Sequence, residues 1–120
     1  AMGHAITINN TLYLTKVSAK DADIPEYACS GTPVDCVKMA TCEILDRRPD
    51  LCVSGINHGS NSSINVIYSG TMSAAVEAAI EGIPSIGFSL QDFSWDADFE
   101  AVKAHVKRIA SEVLQKGLPD

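Results

Sequence analysis

Residues 50–90 read D-L-C-V-S-G-I-N-H-G-S-N-S-S-I-N-V-I-Y-S-G-T-M-S-A-A-V-E-A-A-I-E-G-I-P-S-I-G-F-S-L. This stretch decides the fold. Leu51 to Ile56 is a short, nearly continuous apolar run, as expected of a strand covered on both faces in a parallel sheet. A polar loop rich in Asn, Gly and Ser follows from Asn57 to Tyr68. Ser69-Gly70-Thr71 then opens an Ala-rich helix predicted to run to Glu81, with Gly82 as its C-terminal stop. Pro84 to Leu90 is a second buried-type strand. Strand, loop, helix, strand is the repeating unit of an open α/β sheet. In such sheets ligands bind just past the carboxyl ends of the strands, where the polar loop falls.

Upstream, Ala5 to Asn9 and Thr11 to Val17 are β-rich, and Asn9-Asn10 between them suits a tight turn, so the two are expected to form a hairpin. Asp21 to Pro25 is a polar break, and Glu26 to Cys29 reads as a short strand. Thr32-Pro33-Val34-Asp35 reads as a helix start. Thr32 is the N-cap, Pro33 suits the first helical position, and Asp35 is an acid favoured by the helix dipole. This helix is expected to run to about Leu45, before Pro49. Downstream, Gln91 to Asp98 is a polar connection holding Trp95. The last helix is predicted over Phe99 to Lys116, with Phe99, Val102, Val106, Ile109, Val113 and Leu114 as its buried face. The order implies an α/β layered fold with right-handed crossovers, a single domain over residues 1–120.

The 120 residues suffice for one hydrophobic core, and 46% hydrophobic against 20% charged residues excludes a disordered chain. A net charge of −6 excludes a nucleic-acid backbone binder but not a local phosphate site. Cys29, Cys36, Cys42 and Cys52 lack zinc-site spacing, and are expected to be reduced, mostly buried thiols in a cytosolic protein. No segment reads as a membrane span or signal peptide. Without a secretion signal, Asn9-Asn10-Thr11 and Asn61-Ser62-Ser63 are chance matches to the glycosylation pattern. Ala1-Met2 reads as an expression scar or as the start of an excerpt.

Two places can carry chemistry. Asn57 follows the first strand directly. Its amide oxygen can coordinate a hard cation and its NH₂ can donate to a phosphate, although a lone Asn there also serves as a turn residue. Gly59, Ser60 and Asn61 add small hydrogen-bonding groups in a loop longer than a turn needs. Ser69-Gly70-Thr71 stands at a helix N-terminus, where free N–H groups and the macrodipole favour an anion; an ordinary N-cap accounts for the same residues equally well. Ser30-Gly31-Thr32 has the same chemistry, but capping explains it fully. His58 lacks a placed partner, and His4 and His105 read as structural or exposed. Asp92, Asp96 and Asp98 read as a solvated loop and helix start. No carboxylate pair ends a strand, and no P-loop, nucleophile elbow or dinucleotide fingerprint is present.

Taken together, Ser54-Gly55-Ile56-Asn57-His58-Gly59-Ser60-Asn61, Tyr68-Ser69-Gly70-Thr71, Gly82-Ile83-Pro84-Ser85-Ile86, Ser30-Gly31-Thr32-Pro33-Val34-Asp35-Cys36-Val37 and Gly3-His4-Ala5-Ile6-Thr7-Ile8 resemble the SurE (stationary-phase survival protein) family. The resemblance covers most of the chain from Gly3 to Leu90. It implies a Rossmann-like three-layer α/β fold, with a mostly parallel sheet plus a β-hairpin. It also implies a divalent-metal-dependent nucleotidase, with Mg or Mn, acting on nucleoside 5′- and 3′-monophosphates. Asn57 would be a metal ligand, and Asn61, Ser69, Gly70 and Thr71 would line the phosphate site, with Asn57, Ser69 and Thr71 catalytic. In the family an Asp pair after the first strand and a Ser further on share the metal with the Asn of S-G-I-N; neither they nor the family's opening T-N-D-D-G strand and C-terminal region have a counterpart here. The expectation is therefore a core fragment of a longer protein, inactive alone. The whole protein would be a cytoplasmic homodimer or homotetramer, bound to neither nucleic-acid polymer nor membrane. A non-catalytic phosphate- or nucleotide-binding module is the alternative.

Overall fold

The computed structural model describes residues 3–19, 23–61, 65–92, 94 and 96–119. Asp21 and Ala22 of the polar break, Ser62 and Ser63 of the glycosylation-type triplet, and Trp95 lie outside the described residues, as do Ala1 and Met2.

Strands β1 (Leu14–Lys16) and β2 (Tyr27–Cys29) pair antiparallel, with Leu14 opposite Cys29 and Lys16 opposite Tyr27. The hairpin exists, but its arms differ from the expected pair at Asn9-Asn10. Residues 5–9 form no strand. Their polar groups are taken by the start of the first helix instead: Thr7 N donates to Asp35 Oδ1 at 3.0 Å, and Ala5 O accepts from Thr32 Oγ1 at 2.7 Å. Turn propensity at Asn9-Asn10 lost to these tertiary bonds.

Helix α1 (Pro33–Met39) starts as the sequence predicts, with Thr32 as N-cap and Pro33 in the first turn. Its regular part is shorter than expected, because Ala40–Ile44 continues as a π-helical turn. Thr41 Oγ1 lies 3.1 and 3.2 Å from the carbonyls of Val37 and Lys38, a back-bond that competes with the helical ladder where it widens.

Strand β3 (Cys52–His58) and strand β4 (Ser85–Leu90) are parallel neighbours. Between them come α2 (Asn65–Tyr68) and α3 (Gly70–Ile80). The polar loop is thus shorter than predicted at both ends: the strand runs on through Asn57 and His58, and a helical turn precedes Ser69. Helix α3 lies on the sheet through its small residues. Ala74, Ala75 and Ala78 are buried, and Ser85 Oγ donates to Ala75 O at 2.6 Å. Gly87 lets the helix approach, since a Cβ there would come within 2.6 Å of Met72 Sδ. The core, with Val34 and Ile83, sits between α1, α3 and the strands.

Helix α4 (Glu100–Lys116) forms the other layer. Ser85 and Gly87 face α3, so Ile86 and its partner Val53 face away from it. There Val53 and Leu51 share a cavity with Ala110 and Leu114 of α4. The result is a helix–sheet–helix sandwich. Its outer helix is less covered than predicted: no residue of α4 is fully buried, and Leu114 is 58% exposed. The cysteines are free thiols as expected, but less buried than expected. Cys29 and Cys52 are half-buried, and Cys36 and Cys42 are exposed.

Candidate functional site

The site forms where the carboxyl end of β3 meets the N-terminus of α3. The S-G-I-N sequence does more than end a strand. Ser54 pairs with Gly87, whereas Asn57 pairs with Ser89, so β3 spends one residue more than β4 over this span. That is a β-bulge, a device that re-aims side chains beside sites. Gly55 permits it, with φ at 110° and the Phe88 carbonyl packed where a side chain would stand. The Gly55–Ile56 peptide is cis. The sequence carried the signal, a glycine inside a strand, but only the register reveals its use.

Past the bulge, three of the predicted residues join in one hydrogen-bonded chain. Asn57 Nδ2 donates to Asn61 Oδ1 at 3.1 Å and lies 3.3 Å from Gly59 O. Ser69 Oγ donates to the same Asn61 Oδ1 at 2.7 Å. Ser69 is the N-cap of α3, accepting from Met72 N at 3.2 Å. The capping reading of Ser69 is therefore right, and it leaves the anion reading intact. The cap satisfies Met72, while the Gly70 and Thr71 N–H groups stand in the first turn, where a helix offers no internal acceptor.

The inventory of free atoms is specific. Asn61 Oδ1 is doubly used, which fixes its amide so that Nδ2 is a donor; this Nδ2 is buried without a partner. A buried unpaired donor costs free energy unless a ligand accepts from it. It is a donor beside a helix N-terminus, so the matching ligand is an anion. Asn57 is fixed the other way. Its Nδ2 is engaged, and its Oδ1 is the atom left to face a cation. One neutral oxygen does not make a divalent-metal site, which takes six or more oxygens including carboxylates. Among the described residues no group of three or more His, Cys, Asp or Glu converges to hold a metal. The donors of this chain alone do not fit such an ion.

The remaining candidates separate from this centre. His58 packs edge-on to Phe99, ring centroids 5.9 Å apart, against the start of α4. Asp92 and Asp98 serve as local turn acceptors, for Ser94 and for Glu100 N. His4 bonds to Glu77 Oε2 at 2.7 Å, and Lys38 reaches Glu77 Oε1, so this buried carboxylate is a structural hub. Desolvation pushes the thiols of Cys52 and of Cys36 up, the Cys36 sulfur being partly covered although the residue is exposed, with the nearby Cys29 adding to the effect at Cys36. Neither is poised as a nucleophile.

Sequence reasoning missed how the two helix starts meet. Pro33 at the head of α1 seats against Gly70 at the head of α3: a Cβ on Gly70 would lie 2.9 Å from Pro33 Cγ. It also missed the full use of Asp35. This buried carboxylate accepts from Thr7 N, Thr7 Oγ1 at 2.6 Å and Thr32 N at 2.7 Å, closing a capping box. The spacing of Thr32 and Asp35 was the available signal.

Comparison with known proteins agrees along the whole chain. The profile of the family described as "Survival protein SurE" matches residues 1–120. The 5′-nucleotidase SurE of Flavobacterium psychrophilum is 75% identical over 120 residues, 100% of this chain and 47% of that protein. The 5′-nucleotidase SurE of Bacteroides fragilis is 52% identical over 117 residues, 98% of this chain and 46% of that protein. The crystal structure of the SurE protein from Aquifex aeolicus matches with a TM-score of 0.86 at 38% identity, covering 98% of this chain and 46% of its own. The chain thus spans about half the length of the curated relatives it matches.

Proposed function

The chain belongs to the SurE family, and from that premise we propose that it carries the phosphate-binding half of a nucleotidase site hydrolysing nucleoside 5′-monophosphates, and 3′-monophosphates as well. One observation carries the reading: the hydrogen-bonded run Asn57–Asn61–Ser69, which leads into the open N-terminus of α3. On this reading the phosphate sits against the N–H groups of Gly70 and Thr71, with the Thr71 hydroxyl and Asn61 Nδ2 as further donors. Those dipoles are fixed before the substrate arrives, so stabilising the charge of the transferring phosphoryl group requires little reorganisation. Ser69 acts by holding Asn61 and capping the helix that presents the donors.

We further propose Asn57 Oδ1 as one ligand of a divalent cation, magnesium or manganese, whose carboxylate ligands belong to residues outside this chain. Such an ion, when bound, supplies positive charge to the phosphoryl oxygens. Residues 1–120 on their own are then inactive. The whole protein is proposed to be a cytoplasmic homodimer or homotetramer. Among the described residues no helix is long and apolar enough to cross a membrane.

The test is Asn57→Ala in the protein at the full length of its relatives, assayed on AMP with Mn²⁺. A loss of roughly hundredfold is expected, in line with removal of one preorganised charge-stabilising group; an unchanged rate sinks the assignment. The alternative is a phosphate- or nucleotide-binding module without catalysis. Calorimetry of the protein at the full length of its relatives with AMP, with and without Mn²⁺, separates the two. Ion-independent binding favours the module.

A further inference from the structure

We propose that Asp35 is a positioning residue for the anion cradle at Ser69–Gly70–Thr71, acting through Pro33; this rests on reading those residues as a phosphate cradle. Asp35 hydrogen-bonds to Thr7 and Thr32, not to the three cradle residues. It is 1% exposed and stands in the first turn of α1. Its carboxylate ties three pieces of chain together. Oδ1 accepts from Thr7 N, and Oδ2 accepts from Thr7 Oγ1 and from Thr32 N. Asp35 N donates back to Thr32 Oγ1 at 3.1 Å, and that hydroxyl reaches Ala5 O. Gly31 is packed against the same group: a Cβ there would lie 2.6 Å from both Asp35 Cβ and Oδ2. The turn before α1 therefore has little freedom to shift.

Pro33 lies between the two residues of this box, with its φ fixed by the ring. Fixing Thr32 and Asp35 fixes where that ring projects, and it projects onto Gly70, the first residue of α3. Gly70 offers no side chain to cushion the contact, so a displacement of Pro33 passes directly to the backbone N–H groups proposed to bind phosphate. The closeness of a bound geometry to the productive one governs rate steeply, and an ångström-scale error costs orders of magnitude. A buried carboxylate accepting three hydrogen bonds from two separate pieces of chain is more than a helix cap needs; one neutral acceptor suffices for that.

The experiment uses the protein at the full length of its relatives, with inorganic phosphate as competitive inhibitor and AMP as substrate. Asp35→Asn places an NH₂ donor opposite Thr32 N–H or the Thr7 donors, and loosens the turn. The expected result is an increase of about tenfold or more in the phosphate inhibition constant and in KM, with Asp35→Glu intermediate. A purely structural residue would instead lower kcat with the folded fraction and leave both constants unchanged; that result overturns the proposal. If Asp35→Asn does not fold, the Pro33–Gly70 contact is tested directly. Gly70→Ala is expected to weaken phosphate inhibition, and Pro33→Ala added to it is expected to restore much of the loss. No restoration overturns the proposal. Ser69→Ala and Thr71→Val serve as the separate check on the cradle. If phosphate inhibition survives both unchanged, the cradle reading itself fails; if they abolish it while Asp35→Asn does not alter it, only the positioning role fails.

Discussion

At the scale of single residues, two buried carboxylates make the stability of this fold depend on pH. Burial alone would push Asp35 up, but the bonds donated by Thr7 and Thr32 outweigh it and hold the group at about 2, below its ordinary 3.8. A carboxylate whose pKa is lowered on folding stabilises the native state above its unfolded pKa, and that contribution is lost as pH falls through the folded one. Asp35 therefore contributes fully above about pH 4 and progressively less toward pH 2. Glu77 is also held low, first by Lys38 and then, against its burial, by His4. Thermal melts of wild type and Asp35→Asn are expected to differ most at neutral pH and to converge toward pH 2; a constant gap would contradict the linkage. Not all of this was legible. Thr32-Pro33 announces a helix start by type and order alone. Asn57, Asn61 and Ser69 were each legible as polar groups in a suggestive place. Their joining through one amide oxygen depends on a distance across eight residues, which a sequence does not state.

At the scale of elements, glycines decide where chain meets chain. Gly82 ends α3 with φ at 74°, and the nearest obstacle to a Cβ is the Arg48 guanidinium, which can swing away. Gly82→Ala is thus expected to cost about 1 kcal/mol, the backbone preference alone. Gly55 is a different case. Its φ is 110° and the obstacle is the Phe88 carbonyl of the paired strand, which cannot move without breaking the sheet. Gly55→Ala is expected to cost at least about 2 kcal/mol and to disturb Asn57. Urea unfolding of the two variants checks the order, and equal losses would remove the argument for the bulge. The elements themselves followed period and punctuation well in residues 50–90, where strand, helix and strand are long and bounded by Gly and Pro. They failed near the start of the chain. Residues 5–9 have strand-like composition, but their partners are side chains of a helix about 28 residues away, and no local pattern encodes that. The π turn at 40–44 was equally hidden, since a widened helix keeps nearly the same apolar spacing.

At the scale of the whole molecule, the parallel order of the sheet was legible, because continuous apolar runs separated by a helix leave few other arrangements. The sheet's unpaired side has its own consequence. Among the described residues β3 pairs only with β4. Along its other edge runs a cavity of about 510 Å³, lined by residues 51–55 of the strand region together with Pro33, Val37 and Ala78. Successive side chains of a strand point to opposite faces, so five consecutive lining residues mean that the cavity opens on the strand's edge. An edge with open N–H and C=O groups and an apolar groove beside it is a template for another strand. Residues 1–120 on their own are therefore expected to self-associate through β3, edge against edge, in a concentration-dependent way. Val53, 42% exposed on this strand, is the place to interrupt it. Val53→Lys puts a charge where natural edge strands carry one, and the half-exposed position lets the ammonium reach water. Sedimentation velocity over a hundredfold range of concentration should show larger species for the wild-type chain and a monomer for Val53→Lys, with both equally folded by circular dichroism. A wild-type chain that stays monomeric throughout would overturn the prediction. Association that survives Val53→Lys unchanged would place the contact elsewhere, with the half-covered apolar face of α4 and its exposed Leu114 as the next surface to probe.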